Sequence, residues 1–103
     1  MNWETAAQGF AAMGSEARLT VLRTLVRAGS EGLSVGDIQD RTGIPPSTLA
    51  HLLKFMAAAG LVEQERLGRV VISRADFDTL EELAGFILGE CCADVAPKVA
   101  NDG

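Results

Sequence analysis

Trp3, Ala6, Ala7, Phe10 and Met13 recur at helical spacing, so residues 2–13 read as a first amphipathic helix. Ser15 is a good N-cap for a second helix over 16–28, with Leu19, Leu22, Leu25 and Val26 as its expected inward stripe. Ala28-Gly29-Ser30 ends it. Ser34-Val35-Gly36-Asp37 has the form of a capping box and opens a short third helix that stops at Gly43. Proline is tolerated in a first helical turn, so a fourth helix begins near Pro46 and runs to Ala59, before Gly60. Its apolar set is Leu49, Leu52, Leu53 and Met56, which leaves Ser47, Thr48, His51 and Lys54 on the other side.

Beyond Gly60 the period changes from helical to alternating. Leu61–Arg66 and Arg69–Ser73 read as two strands joined through Leu67-Gly68, a hairpin with a basic tip. Asp76 caps a last helix whose apolar stripe is Phe77, Leu80, Ala84, Ile87, Leu88 and Cys91. The tail Ala96–Gly103 has no pattern and is expected to be loose, leaving residues 1–95 as one domain. The expected fold is thus mainly α, about five helices with a two-stranded hairpin.

Composition supports one globular unit. The chain has 103 residues, 48% apolar and 22% charged, a balance that argues against disorder. The longest uncharged stretch, Thr42 to Leu53, has 12 residues and two prolines, whereas a membrane-spanning helix needs about 20 apolar residues. No membrane partner is expected. Glu4 stands where a secretory signal wants Lys or Arg, so a reducing cytoplasm is the expected compartment.

Net charge is −5, which looks wrong for a nucleic-acid binder until it is divided along the chain. Residues 1–40 carry −2, residues 41–74 carry +3, and residues 75–103 carry −6. Screening limits electrostatic reach to about 8 Å at physiological salt, so local field decides whether a polyanion docks. The middle third is the only candidate nucleic-acid surface, and a solvated basic stretch with no partner is the other reading of it. Consecutive helices, the last with a small polar outer face, followed by a basic hairpin, spell a winged helix-turn-helix. Such a helix fits the major groove while the wing tip meets phosphate. Ser47, Thr48, His51 and Lys54 on the helix, with Arg66 and Arg69 at the hairpin, are the candidate contacts to double-stranded DNA.

Gly14-Ser15-Glu16-Ala17-Arg18-Leu19, then Ser47-Thr48-Leu49-Ala50-His51-Leu52-Leu53-Lys54 running into Ala59-Gly60-Leu61-Val62, and finally Gly68-Arg69 resemble the ArsR/SmtB metalloregulators. The resemblance spans nearly residues 5–92. It implies a homodimer built on the first and last helices and bound to a two-fold-symmetric operator. It further implies a repressor that leaves DNA when an inducer binds. Relatives often carry Gln at the place of Pro46 and Ser at the place of Ala50. Without them, base readout falls to Ser47, Thr48 and His51, with the wing and DNA shape. A winged helix that binds protein instead of DNA is the competing class.

Two family metal sites lack their ligands here. The third helix, Val35–Thr42, has no cysteine, and the last helix has no histidine. Zinc wants four N, S or O ligands, so His51 reads as a DNA contact. The chain's two cysteines, Cys91 and Cys92, are adjacent and cannot staple distant segments. Neighbouring thiols near a helix end suit a soft trigonal ion. Some arsenite-responsive relatives resemble this chain in having such a pair, with a third cysteine in the tail that is missing here. Inorganic As(III) takes three thiolates, but an organoarsenical already has one As–C bond and needs two. Ligand count therefore favours a methyl- or aryl-arsenical inducer at Cys91 and Cys92, and a ligand from the other subunit would admit arsenite or antimonite. Cys91 as the end of an apolar stripe, and the pair as a peroxide or persulfide switch, are the other readings. Negative charge from Glu90 and Asp94 weighs toward ligand binding. No resident cofactor is expected. Neither a Cys-x-x-Cys, a phosphate loop nor a Ser/His/Asp set occurs, so no enzyme is expected.

Overall fold

The computed structural model describes residues 1–95, and the expected loose tail, Ala96–Gly103, lies outside them. The described chain runs α1 (Trp3–Ala12), α2 (Glu16–Ala28), a 3-10 turn (Gly29–Glu31), β1 (Leu33–Ser34) and α3 (Val35–Thr42). It continues with α4 (Pro46–Ala58), β2 (Val62–Leu67), β3 (Val70–Ala75) and α5 (Phe77–Leu88). This is a mainly helical winged helix-turn-helix, as the periodicity predicts.

Local chemistry sets most boundaries. Asn2, Ser15 and Asp76 cap α1, α2 and α5, each side chain accepting from a backbone N–H three residues on. At α3 the capping box is complete: Asp37 N–H donates to Ser34 Oγ at 3.1 Å and Ser34 N–H donates to Asp37 Oδ2 at 3.4 Å. Gly43 ends α3 in the left-handed conformation.

The core lies under the helix-turn-helix. Val21 and Leu25 from α2, Ile38 from α3, Leu49, Leu53 and Met56 from α4, and Leu61 before β2 are all fully buried. Helix α4 therefore stands on the best-packed part of the molecule, as ridges of Leu49, Leu53 and Met56 at i, i+4, i+7 require.

Four expectations need correction. The α2 stripe is Val21, Leu22 and Leu25, whereas Leu19 and Val26 are 44% and 41% exposed. The inward face opens with half-buried Arg18, so an apolar-only pattern starts it one residue late. In α5 the ridge facing the protomer is Leu83 flanked by half-buried Leu80 and Phe86. Of the expected stripe, Ile87 and Leu88 are each 63% exposed, because this helix is apolar on more than one side and periodicity does not choose between them. Gly9 of α1 makes the α5 crossing close: a Cβ there would lie 3.0 Å from both terminal methyls of Leu83.

The sheet has three strands, in the order β1-β3-β2, all antiparallel. Two-residue β1 carries no periodic signal and was not expected. It pairs Leu33 with Ser73 and Ser34 with Ile72. Gly32 makes that approach possible, with φ +73°, since a Cβ would sit 2.5 Å from the Ser73 carbonyl oxygen. In the wing, Leu67 pairs with Val70, so the two-residue turn is Gly68-Arg69 and not Leu67-Gly68. Arg69 moves from a strand to the tip.

Candidate nucleic-acid interface and thiol pair

Pro45 occupies the N-cap of α4 and Pro46 its first position, and neither has an N–H to leave unpaired. No side chain caps this helix. The backbone donors of its first turn therefore face outward beside the hydroxyls of Ser47 and Thr48, an arrangement that suits phosphate or base acceptors. Ser47, Thr48, His51 and Lys54 are all exposed. At 3.6 residues per turn they share one face, opposite Leu49, Leu53 and Met56. All four helical candidates are thus brought together.

The wing supplies the two others. Arg66 is exposed on β2 opposite Val71, and Arg69 is exposed in the tip. Beside Arg69 a shallow recess is lined by Ser34, Val35 and Gly36 at the start of α3 and by Val70 and Val71. Neither arginine nor Lys54 has a carboxylate within ion-pair distance among the described residues. Arg74 behaves differently. Its Nη2 lies 2.8 Å from Glu65 Oε1 and its Nε donates to the Ser30 carbonyl at 2.8 Å, so this cation is spent inside the fold. The basic surface is accordingly narrower than charge counting along the chain suggests.

Ser73 is the one buried polar side chain among the described residues. Gln64 Nε2 donates to its hydroxyl at 3.1 Å, across the register pair that joins β2 to β3. This satisfied pair stiffens the base of the wing.

On another side of the molecule lie the cysteines. Helix α5 ends at Leu88 with Gly89 as its C-cap, so Cys91 and Cys92 sit in turns just past the helix and not on it. Both are free and exposed, with their Sγ atoms 3.5 Å apart. Cys92 has φ +62°, uncommon for a residue with a Cβ, within the turn that sets the two thiols side by side. That separation is far beyond the roughly 2.05 Å of a disulfide and near the roughly 3.8 Å spanned by two sulfurs on one tetrahedral zinc. Two soft ligands are therefore presented at chelating distance. No group of three or more His, Cys, Asp or Glu side chains able to hold a metal occurs among the described residues. No described helix is long and apolar enough to cross a membrane.

Next to the thiols runs an apolar strip. Trp3 is 81% exposed, with its ring edge-on to Phe86 at 4.9 Å, and lines one recess with Phe86 and Ile87; Leu88 and Val95 are exposed as well. Sequence reading missed one further residue, Arg18, whose guanidinium reaches both α1 and α4; a cation inside an otherwise apolar stripe was the signal.

Comparison with known proteins agrees with this architecture. A family described as helix-turn-helix domain matches residues 13–65. The HTH-type transcriptional regulator YceK of Bacillus subtilis is 33% identical over 82 residues, covering 79% of this chain and 81% of YceK. Pestheic acid cluster transcriptional regulator 1 of Pestalotiopsis fici is 35% identical over 77 residues, 71% of this chain, but the match spans only 18% of that much longer protein. Among solved structures, an ArsR-like transcriptional regulator from Rhodococcus sp. RHA1 superposes with a TM-score of 0.73 at 28% identity, covering 89% of this chain and 83% of that one. The homodimeric winged helix-turn-helix DNA-binding domain of Mb0332 from Mycobacterium bovis shares the fold, with a TM-score of 0.66, 24% identity and coverage of 92% and 88%. Helix-turn-helix regulators of this kind are DNA-binding proteins and not enzymes. The chain belongs to the helix-turn-helix domain family, as a winged-helix transcriptional regulator of the ArsR type.

Proposed function

We propose that this chain is a dimeric repressor that releases a two-fold-symmetric operator when a thiol-seeking inducer bridges Cys91 and Cys92. The observation that carries this reading is the pair of exposed thiols 3.5 Å apart, set directly after the exposed apolar end of α5. Two copies joined through α1 and α5 would hide Trp3, Ile87 and Leu88, and a homodimeric neighbour of the same fold supports that arrangement. The two α4 helices would then enter successive major grooves about 34–36 Å apart, with Arg69 of each wing on phosphate.

Trivalent arsenic suits the thiols best. An organoarsenical R–As(OH)2 condenses with the two thiols to give R–As(S–Cys)2 and two waters, leaving arsenic three-coordinate without a further ligand. Arsenite would need a third donor, from the other subunit. Ligation pulls both sulfurs onto one atom and reshapes the turn that follows α5. The seam then moves and operator affinity falls by a coupling of about 1–3 kcal/mol.

Fluorescence anisotropy of the DNA upstream of its own gene tests the reading, with reduced protein bound and methylarsenite, arsenite and peroxide titrated separately. Release by the arsenicals, methylarsenite acting at the lower concentration, is the expected result. Cys92→Ser is expected to bind DNA as the wild type does and to ignore arsenicals. Retained induction in that variant removes the thiol-pair mechanism. Release by peroxide alone makes the pair a redox switch, and absence of DNA binding moves the chain to the protein-interaction class.

A further inference from the structure

Helix α1 has only small residues at its fully buried positions, with half-buried Phe10 and its C-cap Met13 packed against the core. Ala6, Gly9 and Ala12 are its buried positions, while Trp3 projects outward. Its last turn has no basic side chain; the Phe10 and Ala11 carbonyls accept from the Met13 and Gly14 N–H groups, and the Ala12 carbonyl takes its donor from elsewhere. Arg18 of α2 is that partner: Nε donates to the Ala12 carbonyl at 2.6 Å and Nη2 to the Ala11 carbonyl at 3.4 Å. The same guanidinium lies over the Phe55 ring of α4, 4.7 Å from its centroid. Beside it, Ala11 and Ala12 on one side and Phe55 and Ala58 on the other line a shallow recess of about 310 Å³. The two helices do not close on each other there. A single planar cation spans the gap.

Phe55 immediately follows Lys54 and lies one turn beyond His51, on the exposed side of the reading helix. A displacement of the α1 C-terminus therefore has a direct route to the exposed polar side chains of α4 through this guanidinium and ring, beside the packing of α2 on α4. We propose that Arg18 is the positioning residue that holds reading helix α4 in register with α1, so that the dimer seam dictates the spacing of the two reading helices. This rests on the dimeric DNA-binding reading above. Arginine suits this bridging role, because its rigid fork serves two carbonyls while its flat face stacks on an aromatic ring. Lysine offers the charge without the plane.

The test uses a palindromic duplex selected by the full-length wild type from a random-sequence pool, and the same duplex with one base pair inserted between the half-sites. The insertion moves the half-sites by about 3.4 Å and a tenth of a turn. The wild type is expected to lose at least tenfold in affinity on the inserted duplex. Arg18→Lys and Phe55→Leu are expected to lose less than threefold, with self-association by sedimentation unchanged. A purely structural role would weaken binding to both duplexes equally and leave their ratio alone. Phe55 is half exposed, so its truncation keeps the test open where the Arg18 variant fails to fold. Wild-type discrimination in a folded, dimeric Phe55→Leu overturns the proposal. A wild type that binds no duplex, or shows no spacing preference, overturns the repressor reading and this inference with it, and is seen before any variant is made.

Discussion

The two working faces of this molecule are supported in opposite ways. Behind the polar face of α4 stand Leu49, Leu53, Met56, Ile38 and Leu25, all fully buried. Behind the apolar face of α1 and α5 stand Ala6, Gly9 and Ala12 against one buried leucine, Leu83. The first face is complete within one protomer and presents hydrogen-bonding and cationic groups to a polar partner. The second presents Trp3, Ile87 and Leu88 to water, a state that monomeric proteins rarely sustain over a contiguous patch. A surface finished from within suits a ligand that comes and goes, such as DNA. One that needs covering suits a second copy, and the thiol pair beside it can then influence how the copies meet.

Substitutions at the centre of each face should separate these roles. Leu53→Ala opens a cavity under the reading helix and is expected to cost about 3 kcal/mol of stability, read from the urea midpoint. DNA binding should fall with the folded fraction. Ile87→Glu is expected to do the reverse, keeping helical content while weakening self-association by about 2 kcal/mol, roughly 30-fold, in sedimentation equilibrium. Operator affinity would drop with the dimer, and binding to a single half-site would persist. If Ile87→Glu instead unfolds the chain while leaving residual protein dimeric, the apolar strip is core and not seam.

What could be read from the residues divides along the same line. Boundaries of α2, α3 and α4 follow from neighbours in sequence, because Ser15, the Ser34/Asp37 box and Pro46 act within one helical turn. The polar face of α4 was legible for the same reason, since four positions at fixed spacing sit opposite an apolar stripe. Where distant segments decide, periodicity fails. Strand β1 exists because β3 comes to meet it across Gly32, and two residues have no period to detect. Leu19 and Val26 lost their place inside because Arg18 points inward toward carbonyls six and seven residues away. In α5 the apolar arc, from Phe86 through Leu83 and Ile87 to Leu88, is wider than one contact needs, and the close approach of Gly9 marks Leu83 as the part turned inward. The cysteines were visible at once, but their position past the end of the helix depends on how the chain turns after Leu88.

Arginines of the wing sharpen the contrast at the finest scale. Residues 41–74 include four arginines and one lysine, yet the structure does not treat these cations alike. Arg74 is engaged by Glu65 and the Ser30 carbonyl, whereas Arg69 stands in the tip with no carboxylate near it among the described residues. A cation that already has its partner releases few counterions from DNA. One that waits for phosphate contributes about one unit to the dependence of log K on log salt. Arg69→Ala is therefore expected to weaken all DNA sequences alike, about fivefold for an exposed ionic contact worth about 1 kcal/mol, and to flatten the salt slope by about one. Arg74→Ala is expected to leave the slope unchanged and to lower only thermal stability, because it strips the β2–β3 ion pair and the tie to the 3-10 turn. Anisotropy titrations across a salt series decide between them. A slope that changes with Arg74 and not with Arg69 would place the phosphate contact at the base of the wing and remove the tip from the interface.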